Sequence, residues 1–423
     1  MTAFTADAAG ALGGPDWLRS RRADALERFT ATALPSPEEE LWRYSRVAEL
    51  DLDRYRPALE PPSGDGALPA DVQEVLDAAG PRSALVVVRN GHLVSVEGGA
   101  PGLEVGPLAE LDPSGESLGA VAGEPADAFA SLHDAFVPDP VLVRAGRGAV
   151  VPDPVVVVSL VEGDGTAAFP RLVVSAGEDS ELTVYGHAAS APGVDALAVP
   201  VVELDAAAAA RLRYLDAQLL GQSVWQLGHQ ASRVGRDANF VTTMVALGGD
   251  YARLRIDSAL DGRGASGEML AVYFGEGSQM HDVRTLQDHV APATTSNLLF
   301  KGAVEGTSHA VYSGLIHIGK AAAGVNAFQT NRNIKLSDGA WAESVPNLEI
   351  ENNDVRCSHA SAVGPVDEDS LFYLESRGVR PEAAERLIVL GFFEQVLERL
   401  PVPGAVGPLR GEIVRKLERR EAS

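Results

Sequence analysis

Cysteine is almost absent from this sequence, since Cys357 is the single thiol among 423 residues. One thiol cannot form a disulfide within the chain, which excludes a disulfide-stabilised scaffold and favours a reducing compartment, the cytoplasm. Basic residues are also scarce: 35 Lys and Arg face 59 Asp and Glu, and the net charge is −24. Such a negative chain repels phosphate backbones and anionic lipid headgroups, so we expect neither nucleic acid nor a membrane as a partner.

Three further signals are missing. No apolar run approaches the roughly 18 residues that a membrane-spanning helix needs. The opening stretch, "MTAFTADAAGALGG", lacks the basic and apolar segments of a secretory signal peptide. No GxxxxGK[ST] loop for nucleotide phosphates occurs, so any use of ATP would belong to a partner. The apolar fraction of 45% supports sizeable cores, and the length favours two or three structural units.

The first predicted unit, residues 1–140, is an N-terminal helical and mixed α/β region. Its segment "DWLRSRRADALERFTATALPSPEEELWRYSRV" predicts two helices. Ser36 can cap the second helix, with Pro37 at its first position and Glu39 completing a capping box. Further on, "SALVVVRNGHLVSVEG" alternates apolar and polar residues around the turn signal "RNG", which predicts a β-hairpin.

The second predicted unit, residues 141–364, is a β domain. Short Val, Leu, Tyr and Ile runs alternate with Gly, Asp and Asn, as in "RLVVSAGEDSELTVYG" and "HAVYSGLIHIG". The segment "DAAAAARLRYLDAQLL" has high helix propensity, but Ala210, Leu212 and Tyr214 alternate with arginines as in a strand, and we interpret it as a strand. The irregular spacing of the strands leaves a sandwich, a barrel and a β-solenoid open.

The third predicted unit, residues 365–423, is a C-terminal helical domain. Asp367 begins "DEDSLFYLESRG", Pro381 begins "PEAAERLIVLGFFEQVLERL", and "GPLRGEIVRKLERR" predicts a third helix. An apolar stripe on the second of these helices consists of Val389, Phe393, Val396 and Leu400. The stripe predicts packing within the domain, with a docking surface for another protein as the alternative.

The candidate chemistry lies in "LEIENNDVRCSHASAVG", where His359 follows Cys357 by two positions near the end of a predicted strand. Residues two apart on a strand project from the same face, so the thiol and the imidazole converge. One interpretation is a packed cysteine beside a surface histidine. A second is a nucleophile activated by the imidazole, although no motif for an orienting group or an oxyanion site accompanies it.

Metal ligation is the third interpretation of this pair, because zinc and iron–sulfur centres take both thiolate and imidazole ligands. A cluster usually takes about four protein ligands, mostly cysteines, and this chain has one. A cluster site here would therefore be shared with another chain or filled only transiently.

A long string around this pair resembles a known family. It reads "AVYSGLIHIGKAAAGVNAFQTNRNIKLSDGAWAESVPNLEIENNDVRCSHASAVG" and is followed by "DEDSLFYLESRGV". This string resembles the SufB/SufD family of iron–sulfur cluster assembly proteins, and its Cys-Ser-His form resembles the SufD branch. The resemblance extends from about Gln279 to Leu400 and more weakly to "LPSPEEELWRYS". It implies a mainly β fold, with a right-handed parallel β-helix core flanked by the N-terminal mixed region and the C-terminal helical domain.

The resemblance also implies a function without catalysis, that of a SufD-like scaffold subunit in the SUF complex. Such a subunit pairs with a SufB-like paralogue through the β-helix and with a SufC-like ABC-type ATPase through the C-terminal helices, and it can form a homodimer when alone. His359 matches the motif histidine and would provide an iron ligand at the SufB interface, with Cys357 as a second candidate. The iron–sulfur cluster would be transient and shared with the SufB-like partner, with none bound by this chain alone.

The sequence departs from the family pattern directly after the motif histidine. Cys-Ser-His is usually followed by Gly-Ala-Thr, whereas Ala360, Ser361 and Ala362 follow His359 here. Alanine enters positive φ less readily than glycine, so we expect a constrained turn at this point.

Other polar residues of the β region are predicted to be structural. His281, Asp282 and His289 lie in "QMHDVRTLQDHVAP", where the family also carries an aspartate and a histidine, and we expect the histidines to hydrogen-bond at β-helix turns. Three asparagines are predicted to form stacked turns of a solenoid: Asn326, Asn331 and Asn333.

Two other functions stay open at this point. A SufB-type homodimeric scaffold would be expected to bring additional cysteines for sulfur acceptance, and only Cys357 is present. A β-helical enzyme acting on acidic polysaccharide would be expected to show a basic groove, a signal peptide or carboxylates arranged for calcium, and none of these is evident.

Overall fold

The computed structural model describes residues 3–62 and 67–422. The α-helices of this part are α1 (Ala6–Ala11), α2 (Asp16–Ala31), α3 (Ala70–Ala79), α4 (Leu108–Leu111), α5 (Ala128–Phe136), α6 (Glu368–Ser376), α7 (Pro381–Leu397) and α8 (Val406–Ala422). Short 3-10 helices span Glu40–Trp42, Val47–Glu49, Leu52–Arg54 and Pro403–Ala405. Within the described residues, no helix combines the length and the apolar character needed to cross a bilayer.

Strands make up most of the remaining structure. In chain order they are β1 (Arg56–Pro57), β2 (Ala84–Arg89), β3 (His92–Gly98), β4 (Leu103–Pro107), β5 (Val141–Ala145), β6 (Val155–Val161), β7 (Thr166–Ala168), β8 (Arg171–Ala176), β9 (Glu181–Ser190), β10 (Ala196–Ala198), β11 (Val201–Ala206), β12 (Arg211–Leu219), β13 (Val224–Val234), β14 (Asn239–Ala246), β15 (Tyr251–Leu260), β16 (Ser266–Gly275), β17 (Met280–His289), β18 (Thr295–Val304), β19 (His309–Ile318), β20 (Val325–Lys335), β21 (Trp341–Ile350) and β22 (Val355–Pro365).

From β11 onward, consecutive strands lie alternately in two sheets. Sheet A has the order β21-β19-β17-β15-β13-β11-β8-β5-β4, and sheet B has the order β22-β20-β18-β16-β14-β12-β9-β6-β2-β3. Neighbours pair in parallel, for example β15 with β17 and β16 with β18. A chain that returns to the same sheet at every second strand forms successive coils, because parallel neighbours need a crossover connection. The predicted mainly β class, with a parallel β-helix flanked by helices, is confirmed.

Before its last two strands, β21 and β22, the β-helix is largely buried on both faces of its sheets. Alternate side chains face the inside of the coil, where Leu254 and Ile256 of β15 pack against Met269 and Ala271 of β16. The outer face of sheet A is covered by the N-terminal segment, and the outer face of sheet B by the C-terminal helices. Parallel strands covered on both sides need apolar residues on both sides, which explains why clean alternation is rare in this region.

The N-terminal region contributes strands to both sheets. The predicted hairpin forms from β2 and β3, and its turn residues Asn90 and Gly91 have φ of 51° and 90°, as a type I′ turn requires. β2 then pairs in parallel with β6, while β4 pairs antiparallel with β5. The divisions at residues 140 and 364 stay predictions.

Of the two helices predicted near the N-terminus, the first is confirmed as α2 and the second is wrong. The predicted capping contact does form, since the Ser36 N–H donates to the Glu39 carboxylate at 2.9 Å. Only the single 3-10 turn Glu40–Trp42 follows, because its tryptophan is buried against the Arg253 guanidinium, 3.9 Å from the ring centroid. Tyr44 has φ of 65°, outside the right-handed helical region, so the chain turns away.

The segment with ambiguous propensity is a strand, as predicted. It forms β12, in which Leu212 and Tyr214 are buried inside the coil while Arg211 is exposed. Parallel pairing with β9 and β14 on its two sides overrides the helix propensity of its alanines.

The C-terminal helices pack against sheet B through the predicted apolar stripe. The four stripe residues are all buried, and the Phe393 ring lies 6.2 Å from the Phe274 ring of β16. Lys301 of β18 donates to the Phe392 carbonyl at 2.8 Å. These contacts favour the packing interpretation of the stripe over the docking interpretation. In α6, by contrast, no residue is buried.

Candidate functional site

The β-helix ends in two edge strands, β21 of sheet A and β22 of sheet B. β21 pairs with β19 and β22 pairs with β20, and each is the last strand in its sheet order. In the part of the chain that the structure describes, no strand covers the other edge of either one. Backbone N–H and C=O groups along such an edge are unpaired on one side, so this end is a template for the addition of another strand.

Cys357 and His359 both lie on β22, on the face that continues the inside of the coil. Cys357 is in register with Ala327 of β20, and His359 with Gln329. The half-buried Cys357 packs against the cluster that contains Ala327, and burial raises the pKa of its thiol. The His359 side chain is exposed, and its imidazole makes no hydrogen bond to any described residue. The structure therefore places both side chains on the last strand, with the imidazole exposed and the thiol half-buried.

A buried amide lies directly beneath the exposed imidazole. Gln329 is 1% exposed, and neither its Oε1 nor its Nε2 has a hydrogen-bond partner among the described residues. A buried polar group without a partner costs about 1–3 kcal/mol. A group held at His359 would come within reach of this amide, because side chains in register on parallel strands face the same side.

This arrangement disfavours nucleophilic catalysis by Cys357 and His359 and is compatible with metal ligation shared with a second chain. A catalytic nucleophile needs a base that a third group orients, and His359 has no such contact within the described residues. Nor does any group of three or more His, Cys, Asp or Glu side chains in residues 3–62 and 67–422 form a metal site. What the pair offers is two ligand types side by side on an uncovered strand, where a second chain could add the others.

The turn expected after His359 does not form. Ala360, Ser361 and Ala362 continue β22 in register with Thr330, Asn331 and Arg332 of β20. All three are extended strand residues, so the missing glycine imposes no positive-φ strain here. The expectation of a constrained turn was wrong, because parallel pairing with β20 holds this segment straight up to Pro365.

The two histidines predicted to be structural are both buried in β17, with different contacts. His289 shares hydrogen bonds with the hydroxyls of Thr294 and Ser296, at 2.7 and 2.8 Å. The His281 ring instead packs 6.4 Å from the Tyr273 ring. Burial lowers the pKa of His289 to about 4 and that of His281 to about 3, so both are neutral at physiological pH.

The asparagines predicted to stack in turns lie within β20 instead. Asn331 and Asn333 face the inside of the coil, where the Asn333 amide donates to the Asn331 carbonyl oxygen at 2.8 Å. The Tyr273 hydroxyl donates to Asn333 at 2.7 Å. The prediction of turns was wrong because the amides of Asn331 and Asn333 find partners in one another and in Tyr273, two coils earlier, which composition does not reveal.

Sequence reasoning also missed a buried ionic cluster on the outer face of sheet A. Asp282 accepts hydrogen bonds from Arg253 at 2.5 Å, Arg284 at 2.6 Å and the Tyr251 hydroxyl at 2.8 Å. The two arginines also hold the N-terminal segment, through the carbonyl oxygens of Leu41 and Arg43. The sequence signal for this cluster is the presence of charged residues at alternate positions in the strands "YARLRID" and "MHDVRT".

An exposed apolar surface lies on the first two C-terminal helices. Phe372 and Tyr373 of α6 are 73% and 56% exposed, and Leu387 of α7 is also exposed. Isolated surface hydrophobes are ordinary, but these are two adjacent aromatic side chains on a helix with no buried residue. Among the described residues, the Arg377 guanidinium lies over the Tyr373 ring, 5.1 Å from its centroid, and leaves the Phe372 ring uncovered. We call these three residues the α6–α7 surface.

Comparisons with known proteins find relatives of this chain. Residues 159–392 match the family model described as "SUF system FeS cluster assembly, SufBD core domain". An iron-sulfur cluster assembly SufBD family protein of Mycobacterium tuberculosis is 35% identical over 307 residues, which are 70% of this chain and 75% of that protein. A Mycobacterium leprae protein of the same description is 34% identical over 287 residues, 66% and 71% of the two chains. The iron-sulfur cluster assembly protein SufD of Bacillus subtilis is 26% identical over 419 residues, 96% and 95%.

Proposed function

This chain belongs to the SufBD family of iron–sulfur cluster assembly proteins, and we propose that it is a SufD-like scaffold subunit without catalytic activity of its own. It works in the cytoplasm with a SufB-like subunit and a SufC-like ATPase, and the nascent cluster is its cargo. The observation that carries the proposal is the position of His359, an exposed and unbonded imidazole on the last, uncovered strand of the β-helix.

The open end supports pairing with a SufB-like β-helix. Leu348 and Ile350 of β21 and Val363 of β22 are exposed there. On the preceding strands β19 and β20, the residues in register with them are buried inside the coil. A partner coil that extends both sheets would pair the free backbone groups and cover these apolar side chains. The SufB-type homodimer is less well supported, because a sulfur-accepting chain needs thiols beyond Cys357.

The same pairing would complete a ligand set for the cluster. The exposed His359 provides one nitrogen ligand to iron, and the SufB-like partner provides thiolates from its facing strand. Cys357 is the second candidate in this chain, and the raised pKa of its half-buried thiol disfavours the thiolate that would bind iron. The Gln329 amide would gain a hydrogen-bond partner from a group held at this end.

The α6–α7 surface is the proposed docking site for the SufC-like ATPase. The stripe through Val389 and Phe393 is buried against sheet B and is not accessible to a partner. Phe372 and Tyr373 are the exposed apolar anchors on the C-terminal helices, and aromatic side chains dominate binding energy at protein interfaces.

The experiment is an anaerobic affinity purification of the tagged full-length chain from its own cytoplasm, with co-purifying proteins identified by mass spectrometry. We expect a cysteine-bearing paralogue and a P-loop ATPase. Recovery of the chain free of both partners and of iron would overturn the scaffold role.

Replacing Phe372 and Tyr373 together by Ser is expected to lower ATPase recovery at least about 10-fold, since each aromatic anchor contributes about 1 kcal/mol or more. Recovery of the SufB-like paralogue should not change, because the open end of the β-helix is untouched. Val150→Ser is the matched control, a 62% exposed apolar residue remote from these helices. Equal ATPase recovery by the double variant and the control would refute the α6–α7 surface as the docking site.

A further inference from the structure

A cleft of about 700 Å³ lies between the N-terminal segment and the outer face of sheet A. Its walls include Leu41 and Trp42 on one side and Phe129 of α5 on the other, and its floor is formed by β13, β15, β17 and β19. A concave, mostly apolar volume of about 300–1,000 Å³ with a few polar groups is typical of small-molecule sites. The proposed scaffold role makes no use of this cleft.

Hydrogen-bond donors stand in a row across the floor. His229, Arg255, Arg284 and Ser313 are in register on four adjacent strands, and all four line the cleft. Neighbouring strands lie about 4.8 Å apart, so successive side chains of the row are within reach of one small group. Arg255 contacts the Asp257 carboxylate through Nε at 2.7 Å, while its two terminal nitrogens make no hydrogen bond to a described residue.

The floor of the cleft carries an excess of positive charge. Arg253 and Arg284 share one carboxylate, Asp282, at 2.5 and 2.6 Å. Asp257 neutralises Arg255 and also accepts from His229 at 3.0 Å. On the floor, three guanidinium groups therefore face two carboxylates, and Asp127 at the start of α5 adds a third carboxylate from the wall, in a chain whose net charge is −24. Arg253 and Arg284 are nearly buried, so water and salt screen this local charge only weakly.

The mouth of the cleft limits which anions can enter. Glu39, Glu40 and Glu349 line it with exposed carboxylates, which repel polyanions such as nucleic acid or nucleoside triphosphates. We propose that the cleft binds an organic acid with a single carboxylate or phosphate head group, held by the Arg255–Arg284 row, and an apolar body against the walls. A guanidinium fork suits either head group, because both present two oxygens in one plane.

Calorimetric titration of the full-length chain with three eight-carbon probes tests this site. We expect octanoate or octyl phosphate to bind in equimolar amount, and octanol, which lacks the charge, to bind at least about 10-fold more weakly. The tighter of the two acids identifies the head group. Arg255→Gln should weaken binding of the acid about 10-fold and leave octanol binding unchanged, because only the charge-assisted bonds are lost.

Arg233→Gln is the matched control, because Arg233 lies on the same face of sheet A and pairs with Asp205 outside the cleft. Ser313→Asp provides a second variant, which adds a carboxylate beside Arg284 and should reject the acid but not octanol. The proposal is overturned if octanol binds as well as the acids, if the Arg233 variant loses affinity to the same extent, or if no probe binds. The site does not depend on the scaffold role, which is tested separately by the co-purifying proteins.

Discussion

His359→Ala is expected to lower the iron and sulfide content of the assembled complex by at least about 10-fold. Loss of even an outer-sphere partner of a metal ligand costs about 10–100-fold in metal affinity, and His359 is the proposed iron ligand itself. Because the imidazole is exposed and makes no hydrogen bond or ion pair in the described chain, the variant should fold and pair normally. The measurement is iron and acid-labile sulfide per complex after anaerobic reconstitution, together with the visible circular dichroism of the cluster.

Two further variants separate ligation from general damage at this end of the β-helix. His317→Ala removes a partly exposed imidazole from sheet A, bonded to Asp288 at 2.7 Å, and should leave the cluster content unchanged. Cys357→Ala should have a smaller effect than His359→Ala, because burial raises the pKa of the thiol. A complex that loads iron equally well after His359→Ala would rule out the ligand role of His359. The proposed function would then lose the observation that carries it.

The second expected result concerns an isolated carboxylate inside the β-helix. Asp216 lies two positions after Tyr214 on β12 and faces the same side, into an interior cavity of about 80 Å³. It makes no hydrogen bond to any described residue, and Gln226, which lines the same cavity, has an unpaired Oε1. Burial away from bulk water raises the pKa of Asp216 to about 7.

Asp216→Asn is therefore expected to stabilise the protein, and more so at high pH. In the unfolded chain the Asp216 carboxyl ionises near pH 4, so the wild-type protein loses stability as the pH rises from about 4 to about 7. Above about pH 7 the carboxyl is ionised in both states, and its effect on the free energy of unfolding no longer changes. With about 1.4 kcal/mol per pKa unit, the gain from Asn should approach about 4 kcal/mol at about pH 8 and fall to about 1–2 kcal/mol at about pH 5. Urea unfolding of both proteins at the two pH values measures it.

The control for this result is Asp261→Asn, at an exposed aspartate after β15, where a surface substitution should change stability by no more than about 0.5 kcal/mol at either pH. A gain from Asp216→Asn that is equal at the two pH values would mean that the carboxylate is solvated or paired in the folded state. A loss of stability at both would mean that Asp216 has a structural partner.

Local patterns in the sequence predicted the elements whose signals lie within a few residues. The hairpin at Asn90–Gly91, the cap at Asp367 and the start of α7 at Pro381 all depend on neighbouring residues, and all are present. The second N-terminal helix failed although its capping bond formed at Ser36. Burial of Trp42 against a strand more than 200 residues later outweighs the local preference.

Some features of the candidate site can be predicted from the sequence, and others depend on the fold. The single thiol, the neighbouring imidazole and the long family-like string are readable from the chain, and so is the acidic balance, from which we expect no nucleic-acid partner. The exposure of His359, the buried amide beneath it at Gln329, the row from Arg255 to Arg284 and the cavity at Asp216 are not. Each depends on which residues lie in register on neighbouring coils, and those neighbours are separated by a whole coil of chain. Burial and charge pairing in a β-helix are set across the coils, whereas sequence patterns describe the order of residues along one of them.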